Sequence, residues 1–374
     1  MSRKFGHKVE VKVDPLAYNI GLIGESGIGK STIMKDFCTK LVGENGYIML
    51  DNGKEDGHKA INGIVSEEIP DWETFSDFVD DVIENKTTDY KELRVIGLDT
   101  YDQLVEIAEP EVVRMHNRAN PEKRVTTINA AFGGFGKGQD KVSEIILDKL
   151  WELKKVGVSF IMIGHVKNKD IDDAATGESY SILTTNMSQK YFNAIKTKLD
   201  FLGVAYVDRK IVKEKTGKKN IATKQDIMKN KVTEETRRIS FRDDNYSIDS
   251  KSRFADIVSN IPMDVDALIK AMNDAILAEH SKGTKTVEES KKEEAKEAKD
   301  KEKEVEKYIE NRKATKVDEK ENEKLISEIQ DKYSSATKEA KSKMKEIMDE
   351  NGFSSFRDES IPTQALEKIV NILK

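Results

Sequence analysis

The strongest constraint on the fold is a short glycine-rich stretch that lies between an apolar run and an amphipathic one. Residues 24–32 read GESGIGKST and fit the pattern G-x-x-x-x-G-K-[ST]. The apolar run of residues 19–23 predicts a strand before this stretch, and apolar residues at helical spacing over 33–41 predict a helix after it. Such a loop turns its backbone N–H groups inward, and the dipole of the following helix adds to the attraction for phosphate. The sequence therefore predicts a phosphate-binding loop with ATP as its ligand.

We expect every residue of this loop to take part in nucleotide binding. Lys30 is predicted to reach the β- and γ-phosphates, and the hydroxyl of Ser31 to bind Mg²⁺. A second metal ligand is predicted at Asp99, because it ends the apolar strand of residues 95–98 and faces the same crevice. The full set predicted for the loop is Gly24, Glu25, Ser26, Gly27, Ile28, Gly29, Lys30, Ser31 and Thr32.

Hydrolysis also needs a group that orients or deprotonates water. Asp51, Glu55 and Asp56 follow the predicted strand of residues 46–50, and Glu55 is our choice among them. Alternatively, these carboxylates cap a helix or lie in solvent. Thr100 follows Asp99, so there is no adjacent acidic pair, and this favours an acid supplied by a neighbouring strand.

A histidine marks the end of a fourth apolar strand. His165 follows the run of residues 158–163. A polar side chain at that strand end is expected near the γ-phosphate, where it would sense the nucleotide and pass its state to the next loop. The alternative is a structural histidine that is hydrogen-bonded to a loop.

The order of apolar runs predicts the fold class. Short apolar runs at residues 19–23, 46–50, 93–98 and 158–163 alternate with stretches of helical spacing. This alternation is typical of an α/β fold with a central, mostly parallel sheet. No stretch approaches the roughly 20 apolar residues of a membrane helix, and no secretory signal precedes the first strand, so we expect a cytoplasmic protein without a membrane partner.

Charge divides the chain into three parts. Charged residues make up 35% of the sequence, and 39 of the 70 residues from 281 to 350 are charged. We therefore predict an ATPase domain over residues 1–280, a charged helical or disordered linker over 281–324, and a helical C-terminal module over 325–374. In the module, one apolar stripe from Leu325 to Ile347 and a second helix after Pro362 are expected. This module is either a docking or coiled-coil helix pair or a small nucleic-acid-binding tail.

Two segments are candidates for contact with DNA. The glycine-rich stretch 131–138 contains two aromatic residues, Phe132 and Phe135, together with Lys137, and aromatic side chains on a mobile loop suit stacking on single-stranded bases. The alternatives are a lid or interface loop and a loop that contacts the nucleotide.

The second candidate is basic. Residues 209–242 carry 12 Lys or Arg and four Asp or Glu, although the whole chain has a net charge of −6. Residues 204–212 and 237–242 are predicted to pair as strands around a protruding basic excursion, whose natural partner is a phosphate backbone. A solvated hairpin with lysines that protect an edge is the alternative. The lysines predicted to contact DNA are Lys218, Lys219, Lys229 and Lys231; Arg209, Arg237 and Arg238 are candidate fingers that act across a subunit interface.

Together these motifs resemble the phage-encoded AAA-domain nucleotide-binding proteins, which are RecA-like P-loop ATPases and include Sak-type single-strand-annealing and recombination proteins. The matching pieces are residues 24–32, 47–51, 95–99, 133–137, 164–167, 237–242, 252–254 and 261–262, and the resemblance covers about residues 15–278. It implies ATP-dependent work on single-stranded DNA beside a single-strand-binding protein, a homo-oligomer, and the cytoplasm of a bacterium that hosts a phage or prophage. Two other functions remain open: a nucleotide-switched adaptor or loader that binds a protein through its C-terminal tail, and a P-loop kinase.

Overall fold

The computed structural model describes residues 11–52, 56–172, 177, 179–219, 226–242, 248–283, 285–334, 336–353, 355–357 and 361–373. The chain forms two compact units, Met1–Ala295 and Lys296–Lys374. None of the helices in these described ranges is long and apolar enough to cross a membrane.

The first unit is built around one large sheet with helices between its strands. The strands are β1 (Ile20–Gly24), β2 (Tyr47–Asp51), β3 (Ser66–Glu68), β4 (Val95–Asp99), β5 (Ser159–Asp172), β6 (Ser179–Thr185), β7 (Phe201–Lys219), β8 (Asp226–Ser240), β9 (Lys251–Ser252) and β10 (Asn260–Pro262). The helices are α1 (Lys30–Val42), α2 (Trp72–Glu84), α3 (Tyr101–Ala119), α4 (Lys137–Lys155), α5 (Gln189–Lys196) and α6 (Val265–His280). The next helix, α7 (Val287–Thr315), contains the division between the units.

The strand order places the predicted site strands side by side. It runs β3-β2-β4-β5-β1-β7-β8-β10, and the pairs from β3 to β7 are all parallel. All five residues of both β1 and β4 are buried, as expected for parallel strands covered on both faces. These observations confirm the predicted α/β fold with a mostly parallel sheet. The carboxyl ends of β1, β2 and β4 therefore meet at one edge together with the middle of β5, where Gly24 pairs with His165. Ligands bind at this edge in open α/β sheets.

One predicted strand is longer than expected. The strand predicted over residues 158–163 continues as β5 to Asp172 and pairs with β6 in antiparallel register from Val166↔Thr185 to Asp172↔Ser179. The polar loop expected after His165 is thus a hairpin, which we call the mixed hairpin (residues 166–172 and 179–185). Its outer residues are exposed. A two-stranded ribbon in water needs no apolar run, so hydrophobicity does not reveal it.

The predicted pairing of residues 204–212 with 237–242 is confirmed, although β8 ends at Ser240. Strands β7 and β8 pair from Val204↔Ser240 outward, with a register shift between Lys210 and Ile211. Beyond Val207 most described side chains of both strands are exposed. We call residues 206–219 and 226–238 the basic hairpin.

The second unit has its own apolar core. Its helices after α7 are α8 (Glu319–Tyr333), α9 (Lys338–Glu350) and α10 (Thr363–Ile372). Side chains such as Ile329, Met344 and Leu366 are buried together. The single stripe predicted from Leu325 to Ile347 is wrong in one respect, because it spans two helices. The apolar spacing stays in phase across the break, and the signal for a new helix is instead Thr337, whose hydroxyl accepts the N–H of Ala340.

Candidate functional site

The glycine-rich loop has the geometry that phosphate binding requires. It begins at Gly24, the last residue of β1, and ends at Lys30, the first residue of α1. Gly27 and Gly29 have φ angles of +72° and +106°, which side chains with a Cβ rarely adopt. Ser26 and Gly27 are exposed. The loop therefore presents its backbone to solvent at the N-terminus of α1, where an anion is favoured.

Lys30 is held inside the loop. Its side chain is buried, and Nζ donates to the carbonyl oxygens of Gly24 at 3.1 Å and Glu25 at 3.0 Å. Ser31 follows at the first turn of α1 and is half-buried, whereas Thr32 is exposed. The predicted phosphate-binding lysine and metal-binding hydroxyl are thus adjacent at the start of one helix.

Two aspartates meet at the ends of β2 and β4. Asp51 and Asp99 are direct neighbours in the parallel register. Asp99 is only 8% exposed, and its Oδ2 lies 2.8 Å from Nε2 of His58, whose Nδ1 lies 3.6 Å from Oδ2 of Asp51. Asn52 donates from Nδ2 to the carbonyl of Thr100 at 2.8 Å and ties the same two strand ends together.

His58 is a site residue that the sequence did not reveal to us. It lies in a short 3₁₀ helix (Asp56–Ala60) that folds back over the two carboxylates. Burial alone would lower its pKa, but the hydrogen bond to Asp99 and the charges of Asp99 and Asp51 outweigh burial and raise it. The available signal was its position shortly after the end of β2. The predicted water-activating residue Glu55 lies outside the described residues, as does the side chain of Asp56.

The residues at this edge fit a magnesium ion. The predicted ligands are oxygen atoms, a hydroxyl on Ser31 and a carboxylate on Asp99, and Mg²⁺ prefers a few protein oxygens together with water and substrate phosphates. The buried Nδ1 of His58 makes no hydrogen bond among the described residues, although it lies 3.6 Å from Oδ2 of Asp51. In the charged ring this nitrogen is a donor, which suits a water or a phosphate oxygen rather than the cation itself.

His165 lies beside the loop and is held by a second aspartate. It is the register neighbour of Gly24, and its Nδ1 lies 3.1 Å from Oδ2 of Asp102, near the start of α3. Burial tends to raise the pKa of Asp102, but the hydrogen bond and charge of His165 outweigh this and lower it. Strand β5 continues past His165 into the mixed hairpin. This histidine therefore connects that hairpin with the edge of the sheet where the phosphate loop begins.

The glycine-rich stretch before α4 exposes an aromatic side chain. Phe135 is fully exposed and has a φ angle of +52°, and Lys137 beside it is also exposed. The base of the stretch is fixed, because the N–H of Phe132 donates to Nδ1 of His116 at 3.1 Å and Lys190 Nζ donates to the carbonyl of Gly136 at 2.6 Å. An apolar ring is thus presented to solvent on an anchored turn.

Two of the lysines predicted on the basic hairpin, Lys229 and Lys231, are exposed and partly paired. Lys229 and Lys231 both extend to Glu214, at 4.0 and 3.1 Å. The side chains of Lys218 and Lys219 lie outside what the structure describes. Nε of Arg209 donates to Oε1 of Glu235 at 2.8 Å.

The two adjacent arginines of β8 have different partners. Nε of Arg238 donates to Oδ1 of Asn260 on β10 at 2.7 Å. Arg237 contacts the phosphate loop of its own chain instead, because Nη1 donates to the carbonyl of Ile28 at 3.0 Å.

Comparison with known proteins identifies a family for this chain. A family model described as an AAA domain matches residues 16–254. Among solved structures, a KaiC-like protein from the hyperthermophilic archaeon Pyrococcus horikoshii OT3 is similar over 68% of this chain and 94% of its own, with 13% identity and a TM-score of 0.32. Among curated proteins, no match was found.

Proposed function

The chain belongs to the AAA-domain family of P-loop ATPases, and on this basis we propose that it hydrolyses ATP in order to act on single-stranded DNA. The observation that carries the DNA part is the position of the basic hairpin. Strand β1, which leads into the phosphate loop, lies between β5 and β7, and Gly24 is paired with both His165 and Ala205. Each of these strands continues beyond the sheet into a hairpin. DNA bound to either hairpin therefore contacts a β-strand that is the direct neighbour of β1 and its phosphate loop.

Charge favours the basic hairpin as the contact with the phosphate backbone. Its residues include ten Lys or Arg and five Asp or Glu, an excess of five positive charges in a chain whose net charge is −6. A localised positive surface on an acidic protein attracts nucleic acid electrostatically.

The ring of Phe135 favours single strands over duplex DNA. Stacking on an aromatic side chain needs an unpaired base and is worth about 1–3 kcal/mol per base. Exposing a large apolar ring to water is unfavourable without a partner, and Lys137, two residues further on, supplies a charge for the adjacent phosphate. Together they form a contact of the kind that binds single strands without sequence preference.

The nucleotide reaction is assigned to the residues at the strand ends. Lys30 leaves its two carbonyl partners and holds the β- and γ-phosphates, while the loop N–H groups hold the anion from the other side. Magnesium, held by Ser31 and through water by Asp99, would neutralise the charge that develops on the phosphate oxygens. His58 orients the Asp99 carboxylate, and His165, held by Asp102 beside Gly24, is assigned to sense the γ-phosphate. Asp51, Glu55 and Asp56 remain the candidates for orienting water, with Glu55 as our choice.

We place this activity in phage recombination, replication or repair, in the cytoplasm of a bacterial host. The resemblance in the sequence motifs supports this context, as well as a homo-oligomer that works beside a single-strand-binding protein. Such an assembly would put many basic hairpins along one strand of DNA.

Steady-state ATP hydrolysis by the full chain, with and without single-stranded DNA, tests the proposal. We expect single-stranded DNA to raise the rate at least about fivefold, duplex DNA of equal length to raise it less, and Lys30→Ala to remove it. Unstimulated hydrolysis with phosphate moved to a small acceptor would indicate a kinase. Nucleotide binding without turnover would indicate an adaptor or loader. Either result contradicts the proposal.

Phe135 allows the stacking contact to be tested separately. Phe135→Leu keeps an apolar side chain but removes the flat ring, so it should weaken binding of single-stranded DNA about tenfold, within the range of one lost stacking contact. Phe135→Trp should retain the affinity. Fluorescence anisotropy of a labelled oligonucleotide measures both, and equal affinities for the Leu and Trp variants would argue against stacking.

A further inference from the structure

Arg237 connects the basic hairpin to the phosphate loop within one chain. Its guanidinium donates from Nη1 to the carbonyl of Ile28 at 3.0 Å. A Cβ atom added to Gly29 would lie 3.5 Å from the same nitrogen, so the guanidinium packs over the outside of the loop. The carbonyl of Arg237 itself accepts the N–H of Met263 at 2.9 Å, which fixes the backbone from which the side chain extends.

A second contact at the root of the hairpin supports the same connection. A Cβ atom on Gly24 would come within 2.9 Å of both the Cβ and the carbonyl oxygen of Ala205 on β7. The first residue of the phosphate loop and the root of the hairpin are therefore in close backbone contact. Neither can shift far without moving the other.

Farther out along the basic hairpin, the face that carries Arg237 continues and is turned toward the phosphate loop. Arg237 pairs with Val207, and Glu235 pairs with Arg209 two residues further along each strand. Side chains two residues apart share one face of a β-ribbon. The hydrogen bond and charge of Glu235 raise the pKa of Arg209, and the charge of Glu25 in the phosphate loop contributes in the same direction. The loop is thus close enough to this face to act on it electrostatically.

From these contacts we propose that Arg237 is a positioning residue that braces the phosphate loop in cis and makes the basic hairpin follow the nucleotide state of that loop. When nucleotide binds, the loop N–H groups turn toward its phosphates. The Ile28 carbonyl lies on the opposite side of one of these peptide groups, so it changes position as well. Because Arg237 holds that carbonyl, the change is passed to β8. The proposal rests on nucleotide binding as assigned above, but it does not depend on DNA.

The chain offers a clean way to observe the hairpin. Its one cysteine, Cys38, is buried, and burial raises the pKa of the thiol to about 12, so it does not react readily. Val232 is exposed on the hairpin. In the full chain, Val232→Cys therefore allows an environment-sensitive dye to be attached at one position.

The test compares the dye signal on addition of a non-hydrolysable ATP analogue in four backgrounds. These are the otherwise unchanged chain, Arg237→Gln, Arg237→Lys and Arg238→Gln. Arg238 is the matched control, because it is the next residue of the same strand but contacts Asn260 rather than the loop. The affinity for a fluorescent nucleotide and the unfolding temperature are measured for each variant.

We expect the unchanged chain and Arg238→Gln to give the same nucleotide-dependent signal. In Arg237→Gln the signal should fall at least about fivefold at saturation, or the nucleotide affinity should fall by a similar factor, without a change in unfolding temperature relative to Arg238→Gln. Arg237→Lys, which keeps a donor, should recover part of the response. An equal signal and equal affinity in Arg237→Gln and Arg238→Gln would overturn the proposal, and so would a dye that stays silent in the unchanged chain although nucleotide binds. Because no DNA is present, a failure of DNA stimulation leaves this readout intact.

Discussion

The two hairpins beside the phosphate loop share a geometry and differ in chemistry. Both continue strands that pair with β1, and their roots, His165 and Ala205, are the two register neighbours of Gly24. The mixed hairpin has two lysines and two aspartates among its described residues, whereas the basic hairpin has an excess of five positive charges. Equal proximity to the phosphate loop therefore does not imply that the two hairpins bind the same ligand, because their surfaces differ in charge.

The attachments of the two hairpins to the site differ as well. The mixed hairpin is tied to the strand edge through His165 and Asp102, which lies three residues after the predicted metal ligand Asp99. The basic hairpin is tied to the outside of the loop through Arg237 and Ile28. We interpret the first attachment as a contact that responds to the γ-phosphate and the second as one that responds to loop position.

The largest effect on ATP hydrolysis should come from Lys30, which lies in the phosphate loop between the two hairpins. Lys30→Ala removes the ammonium that binds the phosphates, so ATP hydrolysis should fall at least about 100-fold, as for the loss of one preorganised donor to a transition state. The matched control is Lys40→Ala on the same helix, since Lys40 forms an exposed ion pair with Asp266. Steady-state phosphate release measures both, and similar rates for the two variants would show that the loop is not the catalytic site.

A smaller effect should separate the two attachments. His165→Gln keeps a polar side chain but loses the imidazole that pairs with Asp102. Most of the stimulation of hydrolysis by single-stranded DNA, predicted to be at least about fivefold, should therefore be lost, while nucleotide affinity changes little. The dye response at residue 232 should persist, because that signal runs through Arg237. Loss of the dye response in His165→Gln would mean that the two hairpins respond as one.

The smallest effect concerns charge alone. Neutralising Lys229 and Lys231 together removes two candidate phosphate contacts, so the slope of log affinity against log salt should become shallower by at most about 1.4. Their ion pairs with Glu214 reduce the change below that limit. The same substitutions at Lys167 and Lys169 of the mixed hairpin are the control and should leave the slope nearly unchanged. A larger change at the mixed hairpin would reverse the assignment of the DNA surface.

Much of the nucleotide edge could be predicted from the sequence because its signals are local. The loop residues 24–32 are contiguous, and the strand that ends at Asp99 is a buried run whose hydrophobicity marks it. The pairing of β7 with β8 was also predicted, because apolar and polar residues alternate in segments 204–212 and 237–242. These features depend on the backbone conformation of a glycine-rich loop and on the burial of apolar strands. Both can be read from residues that are close together in the sequence.

The features that the sequence did not predict depend on tertiary contacts or on exposed backbone pairing. The contact of His58 with Asp99 joins residues 41 positions apart through a 3₁₀ turn that no periodicity marks. The contact of Arg237 with Ile28 spans 209 positions, and the sequence had instead indicated a finger for a neighbouring subunit. The mixed hairpin was expected to be a loop because its strands carry polar residues on both faces.

Reciprocal linkage between nucleotide and DNA tests the central claim most directly. The affinity of the full chain for a labelled single-stranded oligonucleotide is measured with and without a saturating non-hydrolysable ATP analogue, and the affinity for nucleotide is measured with and without DNA. We predict that each ligand strengthens binding of the other by the same factor, at least about fivefold. Affinities that do not depend on the other ligand would contradict the claim that ATP binding at the phosphate loop controls a DNA-binding surface.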